Sequence, residues 1–443
     1  MIENKGGDDL DASILAALVL FGTFFIFLAL GVPIAIGLGI SSLAAALIIV
    51  PTDLATFNAA QKLFEGLSSY TLLAIVFFML SGSIMNNGGI AIRLLNLAKL
   101  VVGRVPGSLA HTNVVGNMLF GSISGSAVAS AAAMGSVMAP MQKKEGYPPS
   151  LSAAANIASA PTGLLIPPTT ALIMYSLVSG GVSISALFMA GYVPGILMGL
   201  TIMVTVYFMT RKSDYSTDSK PTLKQAIATF VEAIPSLFLI VVVIGGIILG
   251  IFTATEASGI AVIYSLILAL AYKQLTWSSA IKTLKETIIM TGIVLFLVAT
   301  SSIMSWVMSF ANIPRTITNV LLSFSDNPII ILLLMNIILL VVGMFLDITP
   351  AILIFSPIFL PIVTQLGMDP VQFGVVLIFN LCIGTTTPPV GNVLFVGCKV
   401  AGVPIESTVR PLIKMYIPLI VTLLLVTYIS WISLALPKLL GLM

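Results

Sequence analysis

Apolar runs on the scale needed to cross a bilayer recur along the chain: Ile14–Val32, Ile34–Val50, Leu72–Met85, Leu187–Met209, Ser236–Phe252, Ile260–Ala271, Ile288–Met308 and Ile329–Phe345. A helix spans the hydrocarbon with about 20 such residues. Only 8% of the 443 residues are charged and 58% are hydrophobic, so most elements must be stable in lipid, and a soluble fold is excluded. A transmembrane barrel would show segments of about ten residues alternating apolar and polar. Leu237–Leu249 does not alternate. The sequence therefore reads as an all-α polytopic membrane protein. The first dozen residues are too acidic for a cleaved signal peptide, so Ile14–Val32 is expected to remain as the first span.

The helix breakers are arranged in two registered sets, 221 residues apart. Pro140 matches Pro361, Gly146 matches Gly367, Pro149 matches Pro370, Gly163 matches Gly384, and Pro167-Pro168 matches Pro388-Pro389. One offset accounts for six identities without a gap. Between the copies, Arg211–Lys224 is strongly polar, with four basic and two acidic residues, and reads as an aqueous connector on the cytoplasmic side. If each copy crosses the membrane an odd number of times, the two are inverted relative to each other, as in many secondary transporters.

Each copy has the same order of events. A polar interruption (Gly121–Ser126; Met344–Pro350) is followed by an apolar helix, then by a break ending in Pro-Pro (Ala160–Thr170; Gly384–Asn392). Paired prolines remove two backbone donors and clash with the preceding turn, so carbonyls near Gly163–Ile166 and Gly384–Thr387 lose their helical partners. In lipid each orphan costs several kcal/mol, so the breaks must face protein or a water-filled cavity. Carbonyls, hydroxyls and one carboxylate form a hard oxygen cage suited to Na⁺, and half-helix N-termini offer amides to an anion. This predicts one cation site per copy with an anionic solute between them. Asp347 follows the apolar run Ile329–Leu346, where an unpaired charge costs at least about 3 kcal/mol, and so reads as functional. It also suits a surface N-cap, and Gly121–Ala133 taken alone also suits close helix packing.

The remaining polar residues suggest less. Asn113, Asn117, Asn336 and Asn380 read as interhelical hydrogen-bond partners, His111 as a satisfied buried residue, Glu256 as a loop or pathway residue, and the three tryptophans as interface anchors. Cys382 and Cys398 have no metal or disulfide spacing, and a single histidine excludes a multi-histidine metal site. An intramembrane enzyme would need a base or second carboxylate beside Asp347, and the sequence offers none. With no phosphate-binding loop, direct use of ATP is not expected, nor is nucleic acid a partner.

The runs Phe120-Gly-Ser-Ile-Ser-Gly-Ser126, Gly135-Ser-Val-Met-Ala-Pro140, Ile166-Pro-Pro168, Gly191-Tyr-Val-Pro-Gly195, Gly343-Met-Phe-Leu-Asp347 and Gly384-Thr-Thr-Thr-Pro-Pro-Val-Gly391 resemble the large membrane subunit of tripartite ATP-independent periplasmic (TRAP) transporters. The likeness extends over the chain from about Ile14; Thr169, where the family pattern has Ser, is a departure. The resemblance implies an inverted-repeat, elevator-type transporter with two re-entrant hairpins and two broken helices, importing organic acids with sodium across the bacterial inner membrane. It implies two partners, a small membrane subunit on a separate chain and a periplasmic substrate-binding protein. Within the family the chain looks most like the sialic acid (N-acetylneuraminate) branch. A C4-dicarboxylate or another sugar acid is the alternative, as is a stand-alone sodium/anion symporter.

Carried onto this sequence, the first sodium site would use Ser124 and Ser126 with Gly163, Ile166 and Pro168. The second would use Asp347, Thr349, Gly384 and Thr387, and the substrate carboxylate would lie near Thr169, Thr170 and Asn392. The implied organisation is a polar segment 1–13, a first repeat 14–210 (hairpin near 108–143, broken helix near 150–180) and a connector 211–234. A second repeat 235–436 (hairpin near 328–366, broken helix near 370–402) and a tail 437–443 follow.

Overall fold

A computed structural model describes residues 5–103, 105–213, 215, 222–325 and 327–443. These are almost wholly helical. The first half holds α1 (Lys5–Ala29), α2 (Ile34–Ile49), α3 (Thr52–Leu67), α4 (Thr71–Asn87), α5 (Ile90–Val102), α6 (Ser108–Ser124), α7 (Ala127–Lys144), α8 (Pro149–Ser159), α9 (Thr170–Val178) and α10 (Ile184–Thr210). The second holds α11 (Leu223–Ile248), α12 (Ala254–Ala271), α13 (Trp277–Phe310), α14 (Ile313–Phe324), α15 (Pro328–Phe345), α16 (Ile348–Gln365), α17 (Pro370–Gly384), α18 (Asn392–Ala401), α19 (Ile405–Tyr428) and α20 (Ser430–Leu439). Among the described residues, seven helices are long and apolar enough to cross a membrane, or eight if α3 and α4, which meet at 55°, count as one bent span. The expectation of an all-helical, multi-pass membrane protein holds.

The 221-residue offset governs the helices as well as the breakers. α7 and α16 begin and end at equivalent residues, α8 and α17 both start on the equivalent prolines Pro149 and Pro370, and α10 and α19 start at Ile184 and Ile405. Proline suits these first turns because its missing N–H has no partner to lose there. Two contacts reveal how the copies are related. Thr201 and Thr422, exactly one offset apart, hydrogen-bond through their hydroxyls at 3.1 Å, and the Cys382 thiol donates to the carbonyl of Pro161, also its mate, at 3.5 Å. Symmetry mates touch only at the symmetry axis, so these pairs mark a pseudo-two-fold. Around the threonine pair, Thr205, Phe208 and Met209 of α10 meet Pro418 and Lys414 of α19, so the helices run antiparallel. An axis relating antiparallel spans lies across them, in the plane of the bilayer.

Some boundaries differ from the sequence reading. α1 begins at Lys5, so most of the polar segment 1–13 continues the first helix. α11 begins at Leu223, so the second half of the connector 211–234 is helical. The cause is a capping box in which the Thr222 hydroxyl accepts from the Gln225 N–H while the Gln225 side chain accepts from the Thr222 N–H. Asp214, Asp218 and Lys220 lie outside the described residues. α20 runs to Leu439, into the segment read as a tail. Glu256 sits on the first turn of α12, in a capping box with Thr253.

Candidate transport site

The first cleft forms where the helix pair α6–α7 meets the break after α8. α6 ends on Gly125, whose positive φ of 62° closes the helix through its N–H to the Gly121 carbonyl. Ser126 then caps α7, its hydroxyl accepting from the Ala129 N–H at 3.3 Å. The Ser124 hydroxyl is held loosely, 3.5 Å from the carbonyls of both Gly121 and Ser126. Opposite this tip, Ala160–Leu164 forms a short 3₁₀ turn, and the chain re-enters a helix only after the cis Pro167-Pro168 peptide. Backbone lies against backbone here: a Cβ on Gly163 would stand 2.2 Å from Gly121 Cα. Thr170 ties the break to the tip by donating to the Gly125 carbonyl at 3.2 Å.

Among the described residues, no hydrogen bond ends on the carbonyls of Gly163, Ile166 or Pro168. Gly163 and Ile166 are among the carbonyls expected to lose partners at the first proline pair, whereas in the second break the carbonyls of Gly384, Thr385 and Thr386 all accept hydrogen bonds, against expectation. The tip and the break bring Ser124, Ser126, Gly163 and Thr170 together, whereas the Ile166 side chain packs toward Gly195 of α10. Thr169 is fully buried, and its hydroxyl accepts from the Leu172 N–H at 3.3 Å to cap α9.

The second cleft repeats the plan with a carboxylate in place of a hydroxyl. Asp347, the mate of Ser126, occupies the same N-cap position, on α16. Its side chain does not cap its own helix, and it is exposed between buried Leu346 and Ile348. The Asn392 side chain, at the start of α18, reaches its carboxyl group. Gly384 crosses Gly343 as Gly163 crosses Gly121: a Cβ on Gly384 would stand 2.5 Å from Gly343 Cα. Gly391, the mate of Thr170, again ties break to tip, here by its N–H to the Met344 carbonyl at 3.0 Å. Gly391 has φ +55°, and a Cβ there would meet the Thr387 carbonyl at 2.8 Å. The Thr387 hydroxyl donates to the Ile383 carbonyl at 2.8 Å and keeps its lone pairs. The Gly384 carbonyl already accepts from the Thr387 N–H, while Thr349 is half-buried in the first turn of α16.

A buried polar network holds the first cleft; the sequence pointed to Asn113 and Asn117 but not to Ser130, Asn156 or Ser159. The Asn117 amide of α6 donates to Asn113 Oδ1 at 3.0 Å, Asn156 Oδ1 at 3.1 Å and Ser159 Oγ at 2.8 Å, while its carbonyl oxygen accepts from the Ser130 hydroxyl at 2.7 Å. In the second copy the Asn380 amide donates to Asn336 Oδ1 at 2.7 Å, and the Asn336 amide to Thr427 Oγ1 at 3.2 Å. Asn117, Asn336 and Asn380 are interhelical partners, as expected, whereas Asn113 bonds only Asn117 of its own helix among the described contacts. Ser159 and Asn380 are mates under the offset, which was the available clue. The Tyr416 hydroxyl, also missed, donates to the Thr386 carbonyl and holds the second break against α19. His111 is buried beside the backbone carbonyl of Pro106. Trp277 and Trp431 are exposed, as interface anchors would be.

Helix breaks paired across an in-plane two-fold inside an apolar bundle define a membrane transporter. The family described as "Tripartite ATP-independent periplasmic transporter, DctM component" matches residues 21–432, and the chain belongs to that family. It is 53% identical to the uncharacterized protein YgiK of Salmonella typhimurium, over 95% of this chain and 97% of that one. It is 36% identical to the sialic acid TRAP transporter large permease protein SiaM of Vibrio cholerae, over 92% and 95% of the two chains. It is 38% identical to the C4-dicarboxylate TRAP transporter large permease protein DctM of Pseudomonas aeruginosa, over 91% and 94%. The fold is shared with the YdaH transporter of Alcanivorax borkumensis, with TM-score 0.61 at 14% identity over 86% of this chain and 88% of that one.

Proposed function

We propose that the chain is the transport subunit of a sodium-coupled importer of organic acids in the bacterial inner membrane. The observation that carries this reading is the matched pair of clefts. In each, a helix-pair tip meets a proline-broken helix, with Ser126 in the first cleft and Asp347 in the second at the same N-cap position. In the proposal Ser124, Ser126 and the carbonyls of Gly163, Ile166 and Pro168 hold one Na⁺, and Asp347, Thr349, Gly384 and Thr387 hold another. The substrate carboxylate lies between them, near Thr169, Thr170 and Asn392. Both Na⁺ sites sit on helix pairs that enter and leave the membrane on one side, and the two clefts move together as an elevator.

Two Na⁺ with one monoanion carry one net positive charge, and its inward movement gains about 2.3 kcal/mol per 100 mV. A small membrane subunit and a periplasmic binding protein complete the proposed system. For substrate, the likeness to the sialic acid branch makes N-acetylneuraminate the first acid to test. A C4-dicarboxylate is the second, because the relatives named for the two substrates are about equally similar, at 36% and 38%. The test is uptake by proteoliposomes holding the chain and its small subunit, with the binding protein outside and an inward Na⁺ gradient. N-acetylneuraminate uptake that needs both Na⁺ and the binding protein supports the reading. Uptake of a C4-dicarboxylate alone reassigns the substrate, and accumulation that ignores Na⁺ refutes the coupling.

A further inference from the structure

A cavity of about 580 Å³ opens on the outer face of the bundle, between α10 and α19. Its walls are Val204, Thr205, Phe208, Met209 and Pro418, and Lys414 stands on its rim. Val204 and Phe208 are exposed, so the cavity faces the surrounding lipid. Arg211 reaches the same wall, its guanidinium 5.0 Å above the Phe208 ring. Among the described residues, neither Lys414 nor Arg211 forms an ion pair. A largely apolar slot facing lipid thus ends in two cations that pair with no carboxylate among the described residues.

The pseudo-two-fold gives the depth of these charges. An in-plane axis relating inverted copies lies at the bilayer midplane, and the Thr201–Thr422 pair sits on it. Lys414 is eight residues from Thr422 along α19. At 1.5 Å per residue its Cα lies about 12 Å from the midplane, and Arg211 about 15 Å. The hydrocarbon ends about 15 Å from the midplane, so both side chains reach the phosphate level by extending outward. They do so in one leaflet, the one on the side of the basic connector. Under the offset, Lys414 corresponds to Val193 and Phe208 to Ile429, so the other leaflet has no matching cation at this groove.

We propose that this groove binds one acidic glycerophospholipid of the connector-side leaflet, with an acyl chain between α10 and α19 and the phosphate between Lys414 and Arg211. The apolar wall excludes a freely soluble anion as the natural occupant, and the two cations at phosphate depth select an acidic headgroup over a zwitterionic one.

The test titrates the purified, delipidated full-length chain with palmitoyl-oleoyl phosphatidylglycerol, the matching phosphatidylcholine, and glycerol phosphate as a water-soluble headgroup, counting bound molecules by native mass spectrometry. The expected result is one preferred phosphatidylglycerol. Its affinity falls about fivefold in Lys414→Gln and about 30-fold in Lys414→Gln/Arg211→Gln. It is retained in Lys414→Arg and unchanged in Lys438→Gln, on α20 and not among the groove-lining residues. Equal binding of the two lipids, full phosphatidylglycerol affinity in the double variant, or displacement by glycerol phosphate at similar concentration would each overturn the proposal.

Discussion

Replacing Gly163 with alanine tests the contact on which the first cleft depends. The added Cβ would lie 2.2 Å from Gly121 Cα and 2.5 Å from the Ser122 nitrogen. Ordinary contact begins at 3.4 Å, so the break must retreat from the tip by about 1.2 Å, and the opposing atoms are backbone that cannot rotate away. Ion-ligand distances tolerate only about ±0.2 Å. A retreat of that size would take the Gly163 carbonyl away from Ser124 and Ser126, with which it is proposed to hold Na⁺, and overpacking costs about 1–3 kcal/mol of stability as well. Gly384→Ala makes the same intrusion in the second cleft, 2.5 Å from Gly343 Cα. Gly245→Ala is the control, because nothing lies within 4 Å of its Cβ and its φ is ordinary. In Na⁺-driven proteoliposome uptake, Gly163→Ala and Gly384→Ala should each lose at least about 100-fold in rate at low Na⁺, while Gly245→Ala stays near wild type. A folded Gly163→Ala protein with wild-type Na⁺ dependence would refute the reasoning.

Three further outcomes follow from particular contacts. Asn117→Ala removes a side chain that joins α6 to α7 and α8 and strands the buried Ser130 hydroxyl, while Ser159 keeps its bond to Ala155, so thermal unfolding should show a loss of about 1–3 kcal/mol. A double-mutant cycle of Thr201→Val and Thr422→Val should give a coupling of about 0.5–1.5 kcal/mol, and zero coupling would remove this pair from the pseudo-two-fold axis. Tyr416→Phe frees the second break from α19 and should raise the Na⁺ concentration needed for half-maximal uptake without unfolding the protein.

The parts of the fold legible in the sequence are those set by local backbone chemistry. Pro167-Pro168 and Pro388-Pro389 marked both breaks, and Asp347 stood out because a carboxylate beside an apolar run is costly. The helix pairs α6–α7 and α15–α16 run over Ser108–Lys144 and Pro328–Gln365. What was hidden depends on partners distant in sequence. Gly121 and Gly163 are ordinary glycines until two backbones cross, and Asn117 is one polar residue among several until Asn156 and Ser159 arrive from α8. The bend between α3 and α4 falls at Ser68-Ser69-Tyr70, with no proline to mark it, and the corresponding stretch of α13 runs unbroken. Ile166 could not be aimed from sequence, because its direction is set by the space left at Gly195.

Direct counting of bound sodium tests the two-cleft reading most closely. The purified chain is titrated with radiolabelled Na⁺ in a scintillation proximity assay, beside Asp347→Asn and Ser126→Ala. Two clefts built on one plan predict that wild type binds two Na⁺ and that Asp347→Asn, which keeps size but loses charge, binds one less. Ser126→Ala should weaken a different site, leaving the one at Asp347. Equal Na⁺ binding by wild type and Asp347→Asn would contradict the assignment.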